Sequence, residues 1–327
     1  MQRDLKENII FGLCMCCFFN VTGQSNRVSQ FQTGAYIPAL IGVRDLSTPE
    51  NSGFLITNYN ALLFSNTFYD AEGNSISSGS LQGGELNFSS IDVQAYNNTF
   101  DVTYVSPEIN FLKGLRYLFF IDIPYNTANL QIAATEVLRR PGSVRGGSAG
   151  FSDITISPIT LSYSFEKMDV TGGYTFVAPT GSYQTGSDNN TGLGYWSHLF
   201  QLGMYYYLNE KSTAFLISPT YEFHGQLKDA DVTVGDRFSV EYGISQYLSE
   251  RFEVTFQGGH VWQIGEDRGS EVYWNTSVKD RSSIVSAGAG YWFLGNSVYG
   301  HLKWLSSYGN RQFFQFNGIE FQILFVI

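Results

Sequence analysis

Residues 237–248 read RFSVEYGISQYL, and residues 252–264 read FEVTFQGGHVWQI. In both stretches apolar and polar side chains alternate one by one, as they do in a β-strand with one apolar face and one polar face. Each stretch is about twice as long as the 5 or 6 residues usual for strands of soluble proteins. A tilted strand needs about 9–11 residues to cross a lipid bilayer. The pattern therefore predicts strands of a transmembrane β-barrel.

The same alternation recurs along the chain. It predicts 12 strands, at 53–65, 91–105, 114–125, 150–165, 168–179, 196–208, 213–224, 237–248, 252–264, 282–293, 298–306 and 312–326. Tight turns are predicted at 166–167, 209–212, 249–251 and 295–297, and long polar loops at 66–90, 126–149, 180–195, 225–236 and 265–281. Short periplasmic turns alternate with long external loops in bacterial outer-membrane barrels. We therefore predict an all-β, antiparallel transmembrane barrel of about 12 strands over 53–327, in the outer membrane of a Gram-negative bacterium.

Composition agrees with this fold class. Aromatic residues make up 16% of the chain and charged residues only 15%, yet no run of apolar residues is long enough for a membrane-spanning helix. The net charge of −10 argues against nucleic acid as a partner, because phosphates are bound by basic patches. Outer-membrane lipid is the expected surrounding of the barrel.

Residues 1–23 have the order of a secretory signal peptide. Arg3 and Lys6 precede an apolar run at 9–19, and a polar exit leads to Gly23, after which we expect cleavage. A buried N-terminal helix and a lipoprotein leader are the alternatives. All 3 cysteines fall within this leader, so the mature chain would contain no disulfide.

Residues 24–52 precede the first predicted strand and are long enough to fold back into the barrel as a plug. The alternative is a periplasmic tether. The candidate plug residues are Tyr36, Pro38, Arg44 and Asp45.

The phase of each strand assigns polar side chains to the barrel interior. The candidates for a solute path are Arg116, Asp122, Tyr205, Tyr207, Glu222, Arg237, Glu241, Glu253, Tyr299, His301 and Lys303. Inward charges also stabilise barrels by pairing across strands, which is the alternative role for these residues.

Two prolines interrupt predicted strands. The alternation slips by one residue at Pro158, as it does at a β-bulge, and Pro219 lies within another strand. Such sites bend a curved sheet. They are also candidates for a weak place in the wall, where an apolar solute leaves sideways into the membrane.

Signatures of catalysis are missing from the sequence. None of the 4 histidines has a serine two positions later, and no nucleophile elbow or metal-ligand spacing occurs. We therefore predict no enzyme activity, no cofactor and no metal.

The alternating C-terminal stretch FQILFVI (321–327) predicts a last strand that the barrel-assembly machinery recognises.

Several short motifs, in this order, resemble an outer-membrane family named for the meta pathway of phenol degradation. They are GAYIP (34–38), GVRD (42–45), GFSDI (150–154), APTGSY (178–183) and NTGLGYW (190–196). The resemblance implies a channel or transporter for uptake of hydrophobic or aromatic small molecules, with lipid-like solutes such as sphingoid bases as another possibility. A structural or adhesive barrel without transport is the runner-up, and an outer-membrane lipid hydrolase is third.

Overall fold

The described residues form one continuous antiparallel sheet of 14 strands. The computed structural model describes residue 29 and residues 34–76, 78–81, 84–137, 140–185, 187 and 189–327. The predicted signal peptide at 1–23 lies outside the described residues. The strands are β1 (Gly53–Tyr69), β2 (Ser78–Leu81), β3 (Gly84–Val105), β4 (Leu115–Val137), β5 (Arg140–Phe151), β6 (Ile154–Ser164), β7 (Met168–Ala178), β8 (Ser197–Leu208), β9 (Thr213–His224), β10 (Arg237–Tyr247), β11 (Phe252–Gln263), β12 (Arg281–Trp292), β13 (Val298–Arg311) and β14 (Phe313–Val326). No helix in the described ranges is long and apolar enough to cross a membrane.

The sheet closes on itself into a barrel. β1 pairs with β14 on one side and with β3 on the other, and β3 pairs with β4. β4 then pairs with β6, and each strand from β6 to β14 pairs with the next. Leaving out β2 and β5, which extend the sheet beyond the ring, 12 strands form the barrel, as the alternation predicts. Closure gives each strand of the ring a paired neighbour on both sides, which a bilayer favours because lipid offers no hydrogen-bond partners.

Two predicted loops are wrong in part. The structure has strand where the sequence predicts the polar loops 66–90 and 126–149: β4 runs to Val137 and is followed by β5 after two residues. The outer end of β4 pairs with β5, whereas its inner end pairs with β6. At the outer end of β4, Ala128 and Leu130 point inward and are buried, whereas Asn129 and Gln131 point outward and are exposed. This end therefore lacks an apolar lipid-facing side, although its backbone continues the ladder. β13 likewise continues through 307–311, a stretch predicted to connect two strands.

The faces of the barrel are inverted relative to a soluble protein. Phe200 and Phe256 point outward and are each 53% exposed, whereas the charged groups of Glu241 and Lys303 point inward and are at most 1% exposed. A soluble protein buries its aromatic side chains and exposes its charges. The inversion is that of a barrel with a lipid-facing exterior.

The loops after β7, β9 and β11 pack together on the long-loop rim. Tyr195, Leu227, Val234 and Trp274 form a buried cluster there. The Asp153 carboxyl, between β5 and β6, accepts backbone N–H bonds at 2.8 and 2.6 Å from the loop after β7. Burial raises the pKa of Asp153, and these hydrogen bonds oppose the rise. Half of this rim thus carries an ordered cap.

The exposed apolar exterior gives a stability prediction. Phe256→Arg puts a charge in mid-strand on the lipid-facing side and should cost about 2–4 kcal/mol of unfolding free energy, measured by urea titration in lipid vesicles. Phe256→Leu should cost less than half as much. Phe111→Arg, on the turn between β3 and β4 where Phe111 is 84% exposed, should change stability by about 0.5 kcal/mol or less. Equal costs for the two arginine variants would show that Phe256 does not face lipid.

Candidate functional site: the barrel interior

Residues 34–50, called the N-terminal segment below, lie inside the barrel. At one end the N–H groups of Ala35 and Tyr36 donate to the Glu222 carboxylate at 2.6 and 3.3 Å. At the other end Arg116 Nη2 donates to the Glu50 carbonyl at 2.8 Å. Glu222 is near the long-loop end of β9 and Arg116 near the short-turn end of β4, so the segment runs along the length of the interior.

An ion pair supports the start of the segment. Arg237 donates two hydrogen bonds to Asp280, at 2.5 and 2.8 Å, and both side chains are at least 96% buried. Two parallel bonds between a guanidinium and a carboxylate fix orientation as well as charge. Glu222 is the register partner of Arg237 on the neighbouring strand. The pair thus holds a cation beside the carboxylate that receives the segment.

Tyr36 is bound through its hydroxyl. The hydroxyl donates to Glu241 Oε2 at 2.5 Å and accepts from Gln201 Nε2 at 3.0 Å. The other Glu241 oxygen accepts from Gln257 Nε2 at 2.7 Å. Strands β8, β10 and β11 therefore contribute to one polar site around a phenolic group.

Arg44 is the most connected side chain of the segment. Its Nε donates to Ser245 Oγ at 2.6 Å and forms an ion pair with Glu253 at 3.1 Å. Its Nη2 donates to the carbonyls of Lys211 and Ser212 in the turn after β8. The guanidinium also lies 4.8 Å from the centre of the Tyr247 ring, within the range of a cation–π contact.

The Lys303 side chain binds backbone carbonyl groups of the segment. Its ammonium group donates to the carbonyls of Leu40 and Ile41, both at 2.7 Å, and lies 3.3 Å from a Glu320 oxygen. Gln257 donates to the same Ile41 carbonyl at 3.0 Å. The wall thus provides the donors that a buried backbone carbonyl needs.

Tyrosine hydroxyls form further hydrogen bonds in the interior, within the wall and between the wall and the segment. Tyr205 donates to the Val43 carbonyl at 2.7 Å, and Tyr207 donates to Asp169 at 2.7 Å. In the reverse sense, Tyr59 of the wall donates to Asp45 of the segment at 2.9 Å. The Tyr299 hydroxyl donates to Glu253, and His301 contacts Thr255 Oγ1 at 2.9 Å.

Inward glycines make room for the segment. A Cβ atom added to Gly259 would lie 2.5 Å from Pro38 Cβ. One added to Gly203 or Gly243 would lie 3.2 Å from Leu46 or 3.3 Å from Val43. At Gly259 the wall and the segment approach so closely that only glycine fits.

The N-terminal segment makes few hydrogen bonds to β3 and β4, although Ala95 of β3 packs against the apolar cluster that contains Ala39. Among the described residues, the segment makes hydrogen bonds to β4 only through Arg116 and makes none to β3. Asp101 and Asp122 lie opposite each other on this wall, and Asn97 donates to Asn126 at 2.5 Å further along it. Most hydrogen bonds between the described part of the segment and the wall therefore go to strands other than β3 and β4.

The two prolines affect the wall differently. A register shift separates Ile156 and Ile159 in the pairing of β6 with β7, so Pro158 lies at a β-bulge. Near Pro219 the register of β8 with β9 is kept, but no pairing forms between Gln201–Thr220 and Met204–Ile217. Pro219 cannot donate a backbone hydrogen bond, so the ladder is interrupted there.

A groove lies on the outside of this interruption. It has a volume of about 510 Å³ and is open to the lipid side. Its lining includes Gly172, Gly173, Phe200, Pro219 and Tyr221, together with Gln201, whose amide reaches the Tyr36 hydroxyl inside. The inner polar site and the outer apolar groove therefore lie on opposite faces of the same stretch of wall.

Comparison with known proteins identifies the family. The sequence profile described as "Putative MetA-pathway of phenol degradation" matches residues 65–323. The chain belongs to this phenol-degradation family. It is therefore an outer-membrane β-barrel. No curated protein matches the sequence.

Solved structures share the architecture of this family member. An outer-membrane channel of Pseudomonas putida F1, assigned to COG4313, has a TM-score of 0.70 at 12% identity, over 88% of this chain and 100% of the other. The transport unit of the autotransporter AIDA-I from Escherichia coli has a TM-score of 0.46 at 9% identity, over 85% of this chain and 92% of the other. The translocator domain of NalP from Neisseria meningitidis has a TM-score of 0.45 at 10% identity, over 86% of this chain and 91% of the other. At these identities the first likeness shows the fold, and the other two add no argument.

The predicted residues of this phenol-degradation family member fall into two sets. On the inner face around the N-terminal segment lie Tyr205, Tyr207, Glu222, Arg237, Glu241, Glu253, Tyr299, His301 and Lys303, and within the segment lie Tyr36, Pro38, Arg44 and Asp45. Arg116 lies at the short-turn end, and Asp122 lies opposite Asp101 on the β3–β4 wall. Their role in a solute path stays a prediction. No group of three or more side chains in the described ranges is arranged to hold a metal.

Sequence reasoning missed the neutral members of the site. Gln201, Ser245 and Gln257 bind the segment without carrying charge, and Gly259 accommodates it by having no side chain. A glycine in the inward phase of a strand is a usable signal, because it marks close approach of another backbone.

Gly259 provides a test of how the segment is seated. Gly259→Val should displace Pro38 and loosen the segment, so that a cysteine placed at the buried Val43 reacts faster with a small thiol reagent, by about tenfold for each 1.4 kcal/mol of lost binding. Ala289→Val, which adds methyl groups on the lipid-facing side of β12, should leave the rate unchanged. Equal rates in both variants would mean that the fit at Gly259 does not hold the segment.

Proposed function

We propose that this protein takes up hydrophobic or aromatic small molecules across the outer membrane, through a path between the N-terminal segment and the β3–β4 wall. The observation that carries the proposal is the seating of the segment. It is held by hydrogen bonds, ion pairs and close packing, and Val43, at its centre, is 1% exposed. Because only non-covalent contacts hold the segment against the wall, it can move aside for a solute and return. The family description and the channel from Pseudomonas putida support transport rather than catalysis.

The two wall irregularities support a lateral step. An apolar solute inside the barrel that reaches Gln201 faces the place where the β8–β9 ladder is interrupted, with the groove beyond it. Leaving through the wall at Pro219, with the bulge at Pro158 on the other side of β7, delivers an apolar molecule into lipid without passage through water. The lumen residues would then guide the solute, and Arg116 would close the periplasmic end.

The remaining predictions belong to the same proposal. Uptake of this kind involves no reaction and needs no cofactor. Its last strand, β14, is the element that the barrel-assembly machinery would recognise. An adhesive or purely structural barrel is the competing function.

A reversible cross-link tests uptake and the lateral step together. Leu202→Cys with Pro219→Cys puts two cysteines at the positions that the register of β8 with β9 sets opposite each other at the interruption. A disulfide forms where the two Cα atoms lie about 4.4–6.8 Å apart. In vesicles with an outer leaflet of lipopolysaccharide, the reduced protein should take up phenolic and fatty-acid solutes, and oxidation should lower apolar uptake about tenfold. Reduction should restore the rate.

The matched control is Tyr206→Cys with Phe215→Cys, a paired position where the β8–β9 ladder is intact. Its oxidation should leave uptake unchanged. No solute-dependent uptake by any form of the protein would overturn the transport proposal. Uptake that ignores the Leu202–Pro219 cross-link would overturn the lateral step alone. Release of fatty acid from the vesicle lipid would instead indicate a hydrolase.

A further inference from the structure

The polar site around the Tyr36 hydroxyl has more hydrogen-bonding capacity than Tyr36 uses. Ser218 and Thr220 point inward from β9 and are at most 1% exposed, yet neither hydroxyl has a hydrogen-bond partner among the described residues. Ser218 is the register partner of Glu241, and Thr220 is the register partner of Gln201. Both unpartnered hydroxyls therefore flank the two side chains that bind Tyr36.

Buried polar groups are normally paired, and each unpaired one costs about 1–3 kcal/mol. Two such hydroxyls beside one site call for a ligand with a further hydroxyl. The side chain of Tyr36 is itself a phenol, and it occupies a carboxylate acceptor, Glu241, and an amide donor, Gln201. This set of groups would bind the hydroxyl of any other phenol in the same way.

We propose that this site is a receptor for hydroxylated aromatic molecules, which Tyr36 occupies until a solute displaces it. The inference rests on the proposed uptake function and names its solute class and its trigger. A phenol competes with Tyr36 for Glu241 and Gln201. A catechol uses Ser218 or Thr220 as well and therefore binds more tightly than phenol. Displacing Tyr36 removes one anchor of the N-terminal segment and opens the interior at the level of the groove.

Cysteine labelling at Val43 measures the displacement in the purified barrel. Phenol and catechol should raise the labelling rate saturably, with catechol acting at lower concentration, whereas toluene should have no effect. Glu241→Gln removes the carboxylate that holds Tyr36 and phenol alike, so it should raise the labelling rate without phenol and reduce the further rise that phenol produces. Tyr36→Phe should lower the phenol concentration required about tenfold, because the competing hydroxyl is gone.

Two further variants separate this site from general loosening of the barrel. Ser218→Ala should abolish the preference for catechol but leave the response to phenol. Tyr69→Phe, which removes a hydroxyl bonded to Gln315 far from the site, should change nothing. An unchanged labelling rate without phenol in Glu241→Gln, or a response to toluene equal to that of phenol, would overturn the receptor. Hydroxyl-dependent labelling without vesicle uptake would overturn transport and leave the receptor intact.

A second observation concerns the outer surface of the long-loop rim. Arg281 and Arg311 are register partners on β12 and β13, and both point outward. Arg311 donates only to the carbonyl of Lys279, and Arg281 has no hydrogen bond or ion pair to the described residues. Like charges directly opposite each other destabilise a sheet, and this chain has a net charge of −10 from which carboxylate partners could be drawn.

Aromatic side chains lie next to these cations on the membrane side. Trp262 is the register partner of Arg281, and one step further into the wall the His260 ring lies 5.4 Å from Trp262 and 6.5 Å from Tyr308. Aromatic side chains mark the membrane interface, so the arginines lie at the level of the lipid headgroups. Guanidinium groups bind phosphate through two parallel hydrogen bonds.

We infer that Lys279, Arg281 and Arg311 bind the phosphorylated headgroup of the outer-leaflet glycolipid, lipid A. The lipid's phosphate faces the cations, and its acyl chains lie along the apolar wall below Trp262 and Tyr308. Clustered basic side chains at a membrane surface bind anionic lipids.

Native mass spectrometry of the detergent-solubilised barrel tests the lipid site. Diphosphoryl lipid A should remain bound, and Arg281→Gln with Arg311→Gln should weaken binding about tenfold or more. Arg281→Lys with Arg311→Lys should bind lipid A more weakly than the wild type and more tightly than the double glutamine variant, because charge is kept and the paired hydrogen bonds are lost. Arg251→Gln, at an exposed turn on the opposite rim, should bind like the wild type. Equal binding of dephosphorylated lipid A, or unaffected binding by the double glutamine variant, would overturn the site, and equal competition by inorganic phosphate would reduce it to a simple anion site.

Discussion

Charged side chains that point into this barrel have left bulk water, and each of them needs a partner. Burial of an unpaired charge costs several kcal/mol, far more than one residue of a strand contributes to stability. The wall pairs some charges with each other, as in Arg237–Asp280 and Lys303–Glu320. Glu222 and Lys303 also bind backbone groups of the N-terminal segment. The segment and the wall thus satisfy each other, and neither is complete alone.

This mutual satisfaction has a consequence for transport. A plug that fills its lumen with apolar contacts alone would leave nothing for a polar group of a solute to replace. Here the segment is held largely by groups that a solute can imitate, above all the phenolic hydroxyl of Tyr36 on Glu241. The interruption at Pro219 lies at the same level of the wall. Recognition and exit are therefore neighbours in space, although the residues that serve them are far apart in sequence.

Alternation predicted the barrel because lipid outside and polar groups inside act on successive side chains of one strand. It predicted the inward phase of residues such as Glu241 and Lys303 for the same reason. It failed at the outer part of β4, where apolar Leu130 points inward and polar Asn129 and Gln131 point outward, the reverse of the arrangement in the membrane-spanning part. It also passed over Gln257 and Gly259, because an uncharged amide and an absent side chain carry no distinctive pattern.

The sequence by itself determined the fold class, the number of membrane strands and the side of the wall to which most charged residues point. These follow from period-two patterning, which is local and needs no knowledge of the partner strand. Only the tertiary structure decided which charges meet, that residues 34–50 run inside the barrel, and that Tyr36 lies between Gln201 and Glu241. Those contacts join residues 165 to 205 positions apart. They depend on strand register and barrel closure, which the alternation of a single strand does not encode.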